Sequence, residues 1–240
     1  MTRRIALAVL LAALAVPALG ADKPAAEKVP ADPAATKLLG DARAARAQWE
    51  KFPGFRAKVE INIEGKVIKG TVEVTPKGKV TVQVPDVGAE AKWAKDELAQ
   101  TVSHRLDNSA ALETPCAFLD DNKDHPLGRA IRVLNDEFHS SYRVRDRQII
   151  VVNRQMKDSR FTITVMENRA NEDKKYLPVC YVVNSWDGKT EALSGSSTYH
   201  HTWERVGGYD LPATVTVVTA KPGGDQTARS LTLSDHELLK

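Results

Sequence analysis

Tyr176-Leu177-Pro178, opening a run that ends in Val182-Val183, and Tyr209-Asp210-Leu211-Pro212, opening one that ends in Val217-Val218, state one pattern twice. Each run leads to a glycine-bearing turn, Asp187-Gly188-Lys189 after the first and Pro222-Gly223-Gly224 after the second. Proline is tolerated at the first residue of a strand, where its missing N–H breaks no ladder bond. Glycine supplies the torsions that hairpins need. A further alternating run follows each turn, so the repeat predicts a β-meander. It names neither a ligand nor a reaction.

The pattern extends outward in both directions. Strands are expected at 130–134, 138–144, 148–156, 160–167, 176–185, 191–204, 210–220 and 226–238, with turns such as Arg145-Asp146-Arg147 and Asp158-Ser159 between them. Upstream, Phe55, Ala57, Val59, Ile61 and Ile63 alternate with Arg56, Lys58, Glu60 and Asn62. Ile68, Gly70, Val72 and Val74 follow, then Val80, Val82 and Val84, with Glu64-Gly65-Lys66 and Lys77-Gly78-Lys79 as turns. Residues 107–128 are irregular and polar, with one short strand around Cys116 to Leu119. Two segments change to a period of three or four. Leu38, Ala42, Ala45, Trp49 and Phe52 predict a helix over 34–50, begun by Asp32-Pro33 and ended by Pro53-Gly54. Ala91, Ala94, Leu98, Val102 and Leu106 predict a second over 88–106, with Trp93 at the edge of its apolar stripe. About eleven strands are too many for a flat open sheet, which must curl or close. The expected fold is mainly β (α+β): a curved antiparallel half-open barrel with two amphipathic helices covering its concave face.

The N-terminus reads as a secretory signal over residues 1–20. Arg3 and Arg4 precede an apolar stretch from Ile5 to Ala18, and Ala18-Leu19-Gly20 offers a cleavage site after Gly20. Fourteen apolar residues are too few to span a bilayer, which takes roughly 20. Thr2-Arg3-Arg4 admits either general secretion or twin-arginine export. Residues 21–34 have the composition of a flexible leader, and 35–240 then form a single domain in the periplasm or outside the cell. Without the signal the chain has 32 basic and 31 acidic residues, which gives no case for a nucleic-acid partner. Cys116 and Cys180 would be bridged or free. A disulfide across so long a loop would stabilise by about 4 kcal/mol in the chain-entropy account, whereas Cys180, in mid-strand, also suits a buried thiol.

Several stretches together resemble a known family. Trp49 and Phe52-Pro53-Gly54-Phe55, Ser103-His104-Arg105, Tyr142-Arg143-Val144-Arg145-Asp146, Asn153-Arg154-Gln155-Met156 and Tyr176-Leu177-Pro178 are similar to the secreted bacterial family catalogued as domain of unknown function 3386. The match runs from about Ala35 to Leu238 and implies no activity. The order of elements also resembles, more loosely, the lipoprotein-localisation-factor fold, a half-open barrel with a helical lid over an apolar cavity. That likeness implies a carrier of acyl chains or lipoproteins, although fold alone does not transfer function.

Motifs for chemistry are sparse. Ser194-Gly195-Ser196-Ser197 lacks the second glycine of a nucleophile elbow. Asp120-Asp121-Asn122-Lys123-Asp124 begins like a calcium loop, but His125 stands where glycine is required and Ile131 where glutamate is. His200 and His201 are adjacent in a strand, so they point to opposite faces and cannot jointly chelate one ion. His104 suits the negative end of the second helix. Arg143, Arg145, Arg147 and Arg154 surround one hairpin, either as an anionic head-group site or as partners of Asp136, Glu137 and Asp146. No cofactor, metal ligand set or catalytic group is assigned.

The expected function is that of a non-catalytic binding or carrier domain for a lipid, acyl chain or other apolar ligand, or for a lipidated protein. Trp93, Leu98, Val59, Ile61, Val72, Phe161 and Ile163 are the candidate cavity residues. The rival is a structural or protein-interaction domain whose concavity is filled by its own side chains. A hydrolase with dispersed residues is the third reading, and it requires a histidine and a carboxylate in contact within a pocket.

Overall fold

The computed structural model describes residues 29–85, 88–106 and 112–240. The expected signal and the first part of the leader lie outside the described residues. Helix α1 (Pro33–Ala44) is followed by β1 (Phe55–Ile63), β2 (Lys66–Val74) and β3 (Val80–Gln83), then by helix α2 (Ala89–Ser103). Nine strands complete the chain: β4 (Cys116–Phe118), β5 (Arg129–Val133), β6 (Ser141–Arg145), β7 (Gln148–Gln155), β8 (Ser159–Ala170), β9 (Tyr176–Asp187), β10 (Leu193–Val206), β11 (Tyr209–Ala220) and β12 (Gln226–Leu238). The sheet is one antiparallel layer in the order β3-β2-β1-β12-β11-β10-β9-β8-β7-β6-β5-β4. It is not closed, since β3 and β4 remain its two edges. The twelfth strand beyond the expected eleven is the short β4.

The two Leu-Pro starts explain much of the curl. Glu167 pairs with Cys180 and Asn168 with Pro178, which leaves Val179 as an extra residue in β9. Thr202 pairs with Thr214 and Trp203 with Pro212, which leaves Ala213 extra in β11. A proline interrupts the ladder, and the bulge beside it bends the strand and increases its twist. At each proline a ring nitrogen meets the carbonyl. Trp203 Nε1 donates to Pro178 O at 3.1 Å, and His236 Nε2 lies 3.0 Å from Pro212 O.

The first helix is shorter than its spacing suggests. Asp32 caps it, accepting from the amides of Ala34 and Ala35, but it ends at Ala44 and the chain continues extended. Arg46 and Trp49 make parallel bridges to Tyr176 and Leu106. Ala45, Ala47 and Trp49 are buried, with intermediate residues between them. A spacing of four fits both a helical turn and two steps of a strand, so Ala45 and Trp49 satisfied the wrong period. Residues 45–52 instead form a strap across the concave side, tied down by the two tyrosines of the repeated pattern. Tyr176 N donates to Ala45 O, Ala47 N donates to Tyr176 O, and Tyr209 Oη lies 3.1 Å from the carbonyls of both Glu50 and Lys51. Trp49 stacks on Phe52 with ring centroids 4.4 Å apart, and its Nε1 donates to Asp210 O.

Two apolar cores result. Under α2, Val59, Ile61, Val72, Leu98, Val102, Val215 and Leu231 are each at most 2 % exposed. Under α1, Ala35, Leu39 and Ala42 pack on Cys116, Ile131, Tyr142 and Val144. Of the two states open to the cysteines, bridged or free, the structure has the free one at both Cys116 and Cys180. Cys116 is packed against α1 on the concave side. Cys180 pairs with His200 and lies one residue from Tyr181, which faces inward, so its side chain points to the opposite face of the sheet. No described helix is long and apolar enough to cross a membrane.

Candidate functional site

Between the two cores the concave face is open. A cavity of about 350 Å³ lies over β6 to β10, bounded by the C-terminal ends of α1 and α2 and by the strap. One wall is aliphatic and aromatic: Ile149 and Val152 from β7, Phe161, Ile163 and Val165 from β8, and Val183 from β9. A second wall is a series of stacked rings. Tyr199, His201 and Trp203 occupy alternate positions of β10 and so share a face, and Tyr181 of β9 stacks on Tyr199 with centroids 4.7 Å apart. The third side is cationic, with Arg43, Arg46, Arg105, Arg147 and Arg154, and His104 lies among them. Neither aspartate nor glutamate lines the cavity among the described residues.

Guanidinium groups tie the strap and the helix ends together. Arg105, 2 % exposed, donates from Nη1 to Ala47 O at 3.1 Å and lies over the Trp203 ring at 5.5 Å. Arg46 donates from Nη2 to His104 O at 3.1 Å, and Arg43 from Nη1 to Thr114 Oγ1 at 2.7 Å. Each of these bonds is to a neutral oxygen. Arg105 Nε, Arg154 Nε and His201 Nδ1 are buried without a hydrogen-bond partner.

The titratable groups register this excess of positive charge. Burial first, and then Arg46 beside it, pulls Arg105 down to about 9. Desolvation by the surrounding chain, followed by Arg46, Arg105 and Arg154, pulls His104 down to about 4, although the residue keeps an exposed edge. Burial and then Arg105 do the same to His201, also to about 4. Both histidines are therefore neutral at pH 7, so His104 does not serve as a cation at the end of α2 as its position suggested. Glu97, two turns back along α2 from His104, is 7 % exposed and is pushed up to about 7 by burial.

The seven residues expected in a cavity divide between the two halves of the sheet. Phe161 and Ile163 line the opening. Leu98, Val59, Ile61 and Val72 lie in the filled core under α2, and Trp93 packs on its flank with the Arg229 guanidinium 5.7 Å from its ring. The arginine hairpin also divides. Arg143 is held by Gly128 O and Asp120, and Arg145 bonds to Pro126 O, whereas Arg147 and Arg154 reach the cavity. His201 faces inward and is buried, while His200 is exposed. Asp120, at the start of the calcium-like stretch, is paired with Arg143, and no group of three potential metal ligands occurs among the described residues. His236 bonds to Glu204 at 3.0 Å, but its other nitrogen is occupied by Pro212 O and neither residue lines the cavity.

The ring series and the strap arginines were missed from sequence. Tyr199, His201 and Trp203 at every second position of one strand were the available signal. Their polar tips on an inward face mark a place where the core is not closed.

The family model described as protein of unknown function (DUF3386) matches residues 31–239. The chain belongs to this family. No curated protein matches it. Among solved structures, it is similar to a LolA superfamily protein from Nitrosomonas europaea at 11% identity and a TM-score of 0.31, covering 86% of this chain and 94% of that one. It is also similar to a domain described as outer membrane lipoprotein-sorting from Vibrio parahaemolyticus, at 10% identity and a TM-score of 0.34, over 84% and 91% of the two chains. Both likenesses are distant, and the cavity itself carries the functional reading.

Proposed function

We propose that this DUF3386 domain is an exported binding or carrier domain that takes a lipid, an acyl chain or the acylated end of a protein into the cavity between its two cores. The observation that supports this reading is a concave face packed solid under α2 and left open over β7 to β9, where Phe161, Ile163 and Val183 turn inward. A preformed concavity of about 350 Å³ with apolar walls and a few polar groups at its rim suits a ligand with an apolar body. Apolar burial of the ligand supplies affinity at about 25 cal/mol per Å² before the costs of association are subtracted.

Protein purified from an export host and sprayed intact for native mass spectrometry is expected to carry a co-purified lipid. After delipidation it should bind a hydrophobic fluorescent dye. Ile163→Trp, which fills the opening, should lower dye uptake without lowering the melting temperature. Absence of both lipid and dye binding would sink the carrier reading.

A further inference from the structure

We propose that the ligand is an amphiphile with an anionic head, a carboxylate or phosphate held by Arg46, Arg105, Arg147 and Arg154, its chain lying against β7 to β9. This rests on the carrier reading above and narrows it to one class of ligand. Four observations support it. The first is sign: five arginines and no carboxylate line the cavity among the described residues.

The second is partnership. Arg46, Arg105, Arg147 and Arg154 form no ion pair with a described carboxylate. The carboxylates that influence this cluster electrostatically are already engaged. Asp210 accepts from Arg205 and Asn171, and Asp136 accepts from the amides of Phe138 and Ser140. Arg105 is buried, Arg46 and Arg154 are half-buried, and Arg147 is exposed beside them. A buried charge is normally paired, so Arg105 among cationic neighbours calls for a counter-charge from outside the chain.

The third is orphaned donors. Arg105 is 98 % buried, and its Nε–H has no acceptor; Arg154 Nε–H is likewise orphaned. An acyl chain alone offers this cluster no acceptor, whereas a carboxylate or phosphate offers several acceptor lone pairs in the geometry that a guanidinium fork matches.

The fourth is local strain. Arg145 pairs directly with Gln148, so β6 and β7 are joined by the two-residue turn Asp146-Arg147, with φ of 51° and 59°. Such turns favour glycine at the second position, and the corresponding turn between β10 and β11 has Gly207-Gly208. An arginine held there, with its side chain at the cavity, is a costly choice for turn formation alone.

The test uses calorimetric titration of the delipidated chain with dodecanoate, dodecyl phosphate, dodecanol and dodecyltrimethylammonium below their micellar concentrations, and with acetate and inorganic phosphate as heads without chains. At least one dodecyl anion should bind about tenfold or more tighter than dodecanol, and the dodecyl cation should not bind. Whichever anion binds tighter identifies the head. Arg154→Gln and Arg147→Gly should each weaken the anion about tenfold and leave dodecanol unchanged. Arg105→Lys should keep more affinity than Arg105→Gln, with circular dichroism checking that both fold.

Dodecanol binding as tightly as the anions, or arginine variants that change nothing, would overturn the anionic assignment and leave the carrier reading standing. Acetate or phosphate binding as tightly as its dodecyl form would overturn the amphiphile. If no dodecyl compound binds, the carrier reading itself fails.

Discussion

The half of the sheet under α2 and the half over β7 to β9 carry the same inward alternation of apolar side chains, yet one is solid and the other hollow. Under α2, a whole helical face descends onto β1, β2, β11 and β12, with Ala94, Leu98 and Val102 filling the space between them. Over β8 and β9, no described helix face lies flat, and α1 reaches only as far as Ile149 and Val152 of β7. The C-terminal ends of both helices and the strap arrive instead, bringing arginines and carbonyl groups. Strand periodicity determines which side chains point inward, and the covering element determines whether they become core or wall.

This contrast predicts unequal costs for truncation. Leu98→Ala should lower stability by about 3 kcal/mol, since a closely packed site cannot fully collapse around the missing atoms. Phe161→Ala, at the edge of an existing cavity, should cost markedly less despite removing a larger side chain. Chemical denaturation of the two variants compares them directly, and equal losses would break the distinction.

A second expectation concerns Glu97 at the boundary between the halves. Its folded value of about 7 lies above the ordinary carboxylate range, so the folded state holds a proton there that the unfolded chain releases. Stability from this group is therefore intact below about pH 4.5 and is lost as pH rises toward and beyond 7. Glu97→Gln should match the wild type near pH 4 and exceed it by up to roughly 3 kcal/mol at pH 8. His201, which is buried, acts in the opposite direction. Its folded value of about 4 makes stability rise between pH 4 and 6.5, so the acid limb of the profile should flatten in His201→Phe.

Smaller effects sharpen the picture further. Arg147→Gly should raise stability by about 0.5–1 kcal/mol by relieving its left-handed backbone, which would set stability against the cavity's chemistry at a single residue. Reducing agent should leave the melting temperature unchanged, because Cys116 and Cys180 lie on opposite faces of the sheet. A shift of several degrees on reduction would contradict that placement.

The order of strands and helices was legible because β-period, proline and glycine all agreed from Phe55 onward. The end of α1 was not, because Ala45 and Trp49 fit both periods. The cavity was legible only in part. Val59 and Ile163 look alike as inward residues of alternating strands, and nothing local to either tells which one a helix will cover. The disulfide could not be judged from two cysteines, because inward or outward orientation at Cys180 depends on the bulge that Val179 introduces beside Pro178. Arg46 of the strap was hidden for the same reason as the end of α1: read as a helix, it falls at the edge of the apolar stripe, four residues after Ala42 and three before Trp49, where a basic residue is ordinary.

The edges of the sheet carry a last consequence. β3 has four residues and β4 has three, and each ends the sheet without pairing to the other. Short edge strands offer little template for another chain. They also mean that no ladder of backbone bonds spans the seam. A closed barrel has a circumference set by its strand number and shear. This one has a gap instead, so its girth can change without breaking a single strand-to-strand hydrogen bond.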